Sequence, residues 1–170
     1  PVLSRFDLDE LRQLNECFTP PLVLQYTFDA RQERARGRLE KLRRSIPLDD
    51  ARLLDVGTGH GELAWAALPW VRQATGVDVD PAGLVDAVQE GGGWGGGDRS
   101  PNFVCGDAAQ LPLAGKAFDV VASYWAMEHF ANCEAVLREF RRVLRPGGRL
   151  YLDFGPLFYS PYGHHLHRFI

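Results

Sequence analysis

The stretch that most narrows what this chain can become is Leu53-Leu54-Asp55-Val56-Gly57-Thr58-Gly59-His60-Gly61. An apolar run ends in an acid, and three glycines follow at alternate positions. That pattern predicts a buried strand entering a tight turn where backbone approaches a ligand closely, which glycine permits. Residues 62–68 are helix formers. Ala74-Thr75-Gly76-Val77-Asp78-Val79-Asp80-Pro81 then reads as a second strand ending in acids. Strand, glycine turn, helix, strand and acid make a βαβ nucleotide-binding unit. Asp78 lies 17 residues beyond Gly61, near where such units place a ribose-binding carboxylate.

Two details turn the reading away from NAD. The glycines are spaced G-x-G-x-G rather than G-x-G-x-x-G. Asp55 also stands two residues before the first glycine, where it would repel a pyrophosphate but not a ligand with an amino or cationic group. Three more strand patterns follow. Asn102 to Cys105 leads into Gly106-Asp107-Ala108, Phe118 to Tyr124 follows Leu111-Pro112-Leu113, and Leu144-Arg145-Pro146-Gly147-Gly148 turns into a strand through Asp153.

These motifs in this order closely resemble class I S-adenosylmethionine-dependent methyltransferases, in particular the small-molecule group that includes the ubiquinone and menaquinone methyltransferases. The resemblance covers roughly residues 50–155. It implies an α/β, Rossmann-like, doubly wound, mainly parallel sheet of order 3-2-1-4-5. Its strands are expected at 52–56, 75–79, 102–105, 118–124 and 148–154. The family sheet carries two further strands that this sequence does not reach, which would leave the fifth strand as an open edge. The expected organisation is an N-terminal helical cap over 1–48, the cofactor-binding domain over 49–155, and an aromatic and histidine-rich tail over 156–170.

Residue roles follow from the resemblance. Asp55, Gly57, Thr58, Gly59 and Gly61 would lie along the methionine moiety of S-adenosyl-L-methionine, with S-adenosyl-L-homocysteine as product. Asp78 would bind the ribose hydroxyls, Val79 would pack on adenine, and Asp107 and the Ala108 N–H would bond its edge. Ser123 and Tyr124 would line the methyl-transfer face. His129 is the candidate general base, since a base after the fourth strand could take a proton from a phenol or hydroxyl nucleophile; the other reading is a histidine that only packs or caps. Methyl transfer to a small-molecule acceptor needs nucleophile and methyl aligned about 3 Å apart and shielded from water. A non-catalytic cofactor-binding or scaffold domain of the same fold is the alternative.

Some related enzymes hold a metal through Glu-x-x-Glu-His and a later histidine. Here Trp125 replaces the first Glu and breaks that pattern, although Glu128, His129, His164, His165 and His167 could still hold a metal. The N/D-P-P-Y-type tetrapeptide of many DNA methyltransferases is absent, with Ser123-Tyr124-Trp125-Ala126 in its place. The tail aromatics, with Phe154, Phe158, Tyr159 and Tyr162, would suit a planar or lipid-like acceptor.

Composition adds limits. At 170 residues one domain can bury about 70% of its unfolded surface. The net charge of −3 argues against bulk nucleic-acid binding. Three scattered cysteines, Cys17, Cys105 and Cys133, fit a reducing cytoplasm better than a disulfide framework. No run is long enough to span a membrane, the N-terminus has no signal-peptide pattern, and the start at Pro1 points to a processed or trimmed chain.

The cap reads as a short helix from a capping box at Asp7 and Glu10 to about Cys17, then a longer helix over about 23–45. The apolar positions Phe28, Ala35, Leu39, Leu42 and Ile46 are spaced 7, 4, 3 and 4, one helical face. Arg31, Arg34, Arg36, Arg38, Lys41, Arg43 and Arg44 read as a solvated basic face, or as a surface for an anionic substrate or RNA. Gly91 to Gly97 reads as a flexible surface connection around Trp94. Asn132 is the expected N-cap of a helix with Val136, Leu137, Phe140, Val143 and Leu144 inward.

Overall fold

The computed structural model describes residues 27–94 and 98–154. The capping-box helix, Cys17, residues 23–26 of the longer helix and the tail over 156–170, with Phe158, Tyr159, Tyr162 and its histidines, lie outside the described residues, whereas Phe154 lies within them.

Helix α1 (Phe28–Ser45) starts at Thr27, whose hydroxyl accepts from the Ala30 N–H, an N-cap that satisfies one of the orphan donors of the first turn. Asp29 near its start and Arg43 and Arg44 near its end complement the helix dipole. There follow β1 (Arg52–Val56), α2 (Glu62–Ala67), β2 (Gln73–Asp78), α3 (Pro81–Gln89), β3 (Asn102–Cys105), β4 (Phe118–Tyr124), α4 (Cys133–Val143) and β5 (Leu144–Asp153). All pairings are parallel and the order is β3-β2-β1-β4-β5. Sequence order reverses between β1 and β4, the switch point beside which such sheets bind ligands.

Both faces of the sheet are covered, so the central strands are apolar at both parities. Leu53 and Val120 face one side, with Leu39 and Leu42 of α1 and Leu63 and Trp65 of α2. Leu54 and Val121 face the other, with Val136, Phe140 and Val143 of α4. Leu53, Leu54 and Val121 are fully buried, each contributing roughly 1.5–3 kcal/mol.

Four expectations shift. β2 begins two residues early, because Arg72 and Gln73 N–H groups both bond the Ala51 carbonyl. β5 begins at Leu144, which pairs with Phe118 before a bulge carries Pro146 to Gly148 out of register. Leu137 is 42% exposed rather than inward, since Val136, Phe140 and Val143 already define the face of α4 that meets the sheet. The first half of the glycine-rich segment is packed. A 3-10 turn, Glu90–Trp94, sits against α1, with a Cβ on Gly91 or Gly93 running into Trp65 at 2.4 Å or Phe28 at 2.6 Å. Glu90 pairs with Arg31 at 2.6 Å, and Trp94 meets Phe28 edge-on.

Candidate active site

The turn after β1 carries left-handed backbone at Gly57, Gly59 and Gly61, with φ of +74°, +54° and +73°. Only Gly59 faces open space, with nothing within 4 Å of an added Cβ. At Gly57 that Cβ would lie 2.4 Å from Ala126 Cβ, and at Gly61 2.5 Å from the Phe103 ring. Packing against neighbouring segments requires those two glycines, and a side chain would find room only at Gly59.

Asp78 ends β2 and holds this turn. Its Oδ2 accepts from Gly59 N at 2.7 Å and its Oδ1 from Asp80 N at 3.0 Å. Each oxygen keeps a lone pair for a further donor. Asp107 accepts from Ala109 N at 2.8 Å and so caps a 3-10 turn over Ala108–Gln110. Parallel strands end at one rim. The two acids therefore meet around a cleft of about 330 Å³ lined by Gly57, Asp78, Val79, Asp107, Ala108 and His129 among others. Val79 is 74% exposed, an apolar ledge between the acids. Phe130, Asn132 and Val136 also line the cleft. From sequence, Asn132 and Val136 have only helix-capping and packing roles and Phe130 has none, and their one signal is proximity to His129.

The remaining candidates do not line this cleft. Asp55 is buried and accepts from the Thr58 hydroxyl at 2.6 Å. Burial pushes its carboxyl up to about 6, against the lowering effects of the Thr58 bond and of Arg38. The Ser123 hydroxyl is fully buried and donates to the Val56 carbonyl at 2.9 Å. The Tyr124 hydroxyl donates to the Arg38 carbonyl at 2.9 Å. Burial, then the neighbouring Tyr151, hold that phenol well above its ordinary range, so it stays protonated.

Beside Asp55, α1 turns cations inward. Arg34 and Arg38 reach Glu62 at 3.3 and 3.5 Å, and Arg31 is only 9% exposed. The basic helix is thus exposed along Arg36, Lys41, Arg43 and Arg44, where Arg36, Lys41 and Arg44 have partners in Glu33, Asp153 and Glu40, and it is turned into the protein along Arg31, Arg34 and Arg38. Arg38 also stacks over Trp125 at 4.8 Å and Tyr124 at 5.5 Å. Both carboxylate oxygens of Glu128 are shielded from solvent and accept no hydrogen bond among the described residues. No group of three or more metal-ligating side chains is assembled among the described residues.

Residues 54–152 match the model of a methyltransferase domain family. The chain belongs to this family. The chain is 36% identical over 139 residues to the 27-O-demethylrifamycin SV methyltransferase of Amycolatopsis mediterranei, covering 77% of this chain and 49% of that protein. It is 34% identical over 107 residues to a demethylmenaquinone methyltransferase of Chlorobaculum parvum, covering 61% and 40%. Among solved structures, that of the [4+2]-cyclase SpnF superposes with a TM-score of 0.61 at 31% identity, covering 68% of this chain and 43% of that one. The chain thus spans about half the length, or less, of these relatives. The fold is that of the class I methyltransferases, whose methyl donor is S-adenosylmethionine.

The residues fit that donor. Gly57 lines the cleft, so a ligand there can approach the backbone of the turn. Two rim carboxylates stand ready for hydroxyl or amino donors, with an exposed apolar side chain between them. A diphosphate would meet acids at the same places.

Proposed function

We propose that this chain forms the donor-binding unit of an S-adenosylmethionine-dependent methyltransferase that acts on a small molecule. The observation that carries the reading is the cleft that joins Asp78, Val79, Asp107 and Ala108 at one rim beside the Gly57–Gly61 turn. In this reading Asp78 holds the ribose hydroxyls, Val79 covers adenine, and Asp107 with Ala108 binds the adenine edge. Asp55, Thr58 and the three glycines shape the turn along the methionine end. Ser123 and Tyr124 act from behind the methyl-transfer face by fixing Val56 and α1 through their hydroxyls.

When bound, S-adenosylmethionine supplies a methyl group already activated as a sulfonium. The protein's work is then orientation and exclusion of water. The Asp78 bonds to Gly59 and Asp80 fix its carboxylate before any ligand arrives, which lowers the ordering cost of binding. His129 is the proposed base for a hydroxyl nucleophile. Its replacement by Ala should lower turnover about 100-fold and leave S-adenosylhomocysteine affinity nearly unchanged. The opposite split would make it a wall of the cleft instead.

Structural likeness does not by itself choose the reaction, since one superposing structure is that of a cyclase. Calorimetric titration with S-adenosylhomocysteine, with NAD as control, tests the donor site. Micromolar binding of the first and none of the second is expected. Asp78→Ala should weaken the first about tenfold or more, through loss of charge-assisted hydrogen bonds. Absence of binding, or preference for NAD, would overturn the reading.

A further inference from the structure

The two ends of the sheet differ in charge. Its parallel strands finish at the donor rim, among Asp78, Asp80 and Asp107, and start at the opposite rim. Cations gather at the starts. Arg52 opens β1, Arg72 stands just before β2, Lys116 stands just before β4, and Arg145 and Arg149 lie in the first half of β5. Arg43 and Arg141 join them from the last turns of α1 and α4, which lead into β1 and β5. Helix dipoles favour cations at Arg43 and Arg141. They offer no reason for Arg52, Arg72, Lys116 and Arg149, because a sheet has only a small net dipole.

Ion pairing accounts for few of these cations. Asp119 takes Arg145 at 2.6 Å and Arg52 at 4.0 Å. Arg43, Arg72, Lys116, Arg141 and Arg149 are exposed and form no ion pair among the described residues. Against these five stand Asp49, Asp50 and Asp98, also without a cation. Asp98 is followed by Arg99, a further cation, which donates to the carbonyls of Leu68, Val71 and Arg72. This end is therefore positive in a chain whose net charge is −3. One aromatic ring belongs to it. Trp70, between α2 and β2, is 41% exposed, and the Arg43 guanidinium lies 3.3 Å from its ring centroid.

The layout selects among polyanions. Neighbouring strands lie about 4.8 Å apart, and the cations run across three such spacings from Arg72 at β2 to Arg149 at β5. Arg43 and Arg141 extend them over both faces of the sheet. They are spread over an area and not drawn into a channel. A single nucleic-acid strand is held along a groove, with successive bases stacked on aromatic rings. Here one ring is exposed, and a guanidinium already covers part of it. A layer of lipid headgroups is as broad as the rim. An amphipathic indole beside an arginine sits at headgroup level, its ring at the apolar boundary and the cation outward.

We propose that the rim of strand starts is a docking face for an anionic lipid surface, drawn to Arg72, Lys116 and Arg149 by charge and entered by Trp70. The chain rests on such a surface without crossing it, since no described helix is long and apolar enough to span a membrane. Docked in this way, the donor cleft lies at the far end of the strands and faces solution. Lipid and donor therefore bind independently.

The test is co-sedimentation of the whole chain with vesicles of phosphatidylcholine alone, or of phosphatidylcholine and phosphatidylglycerol in equal parts. The wild type should bind the anionic vesicles at about 0.1 M salt, ignore the neutral ones, and come off at about 1 M, where charge is screened beyond about 3 Å. A cation near such a surface contributes about fivefold in binding, so Arg72→Gln with Arg149→Gln should lower it about 25-fold. Trp70→Ala should weaken it further. Arg36→Gln, exposed midway along α1, should leave it nearly unchanged. All these side chains are exposed, and equal urea midpoints for the variants and the wild type check that each folds. Binding to neutral and anionic vesicles alike, no binding to either, or a double variant that binds like the wild type would overturn the proposal. An equal loss from Arg36→Gln would show a general effect of charge and overturn it too. Polyuridylate, added as competitor, covers the other polyanion. If it binds and anionic vesicles do not displace it, the face serves nucleic acid and the lipid assignment falls.

Discussion

Among the described residues Asp55 has one side-chain hydrogen bond, from Thr58, and burial raises its carboxyl from 3.8 to about 6. The sign of the consequence is fixed. Between those two values the folded chain keeps a proton that the unfolded chain gives up. Stability therefore falls as pH rises through this window and stays reduced above it, by an amount on the order of 3 kcal/mol. Asp55→Asn can still accept from Thr58 and carries no charge. It should flatten the pH dependence and raise stability at pH 8, measured by urea unfolding at pH 5 and pH 8. A wild type equally stable at both values would show that burial does not govern this carboxyl. At this scale the acids were legible from sequence because each ends a strand, and parallel strands deliver their ends to one rim. Ser123 and Tyr124 were harder to place. β4 is covered on both faces, so neither parity of its side chains reaches solvent, and the first side chain free to do so is Trp125.

Helix α1 shows what an element can hide. Its apolar face was readable from spacing, but its arginines read as a solvated stripe. Arg31, Arg34 and Arg38 follow the same three- and four-residue spacing as the apolar face and lie along it. Their acidic partners, Glu62 and Glu90, are distant in sequence, so only tertiary placement reveals the pairs. Glu62 receives two of these cations while only 9% exposed. Removing one partner of a largely buried set leaves uncompensated charge. Glu62→Gln should therefore destabilise the chain by about 2–4 kcal/mol, and amide hydrogen exchange should quicken first in α1. Glu40 pairs with Arg44 on the exposed side of the same helix, where such pairs contribute roughly 0–1 kcal/mol. Glu40→Ala is the matched control. Equal losses from the two substitutions would mean that the Glu62 pairs do not fasten α1 to the domain.

At the scale of the molecule, the strand order was legible because each motif carries its own strand end and the crossovers admit few topologies. The state of the outer edge was not. Among the described residues β5 pairs only with β4, and a bare edge invites pairing with another chain. Leu150 is 39% exposed there. The edge is not bare along its first half, however. Arg145, Pro146 and Arg149 lie on β5 itself, and Lys116, Arg138, Arg141 and Arg142 line a cleft against it. Arg138, Arg142 and Arg145 are offset by Glu134, Glu139 and Asp119, so Lys116, Arg141 and Arg149 are the cations that two copies meeting edge to edge would bring together, and Pro146 has no N–H to give. The guard is mainly electrostatic, so it weakens as the screening length falls from about 10 Å at 0.1 M salt to about 3 Å at 1 M. Arg149→Val removes one cation and adds a β-branched apolar side chain beside Leu150. In sedimentation velocity this variant should form larger species at concentrations where the wild type sediments in its smallest form. The wild type should move the same way at 1 M salt. If Arg149→Val and high salt both leave the distribution unchanged, charge is not what protects the edge.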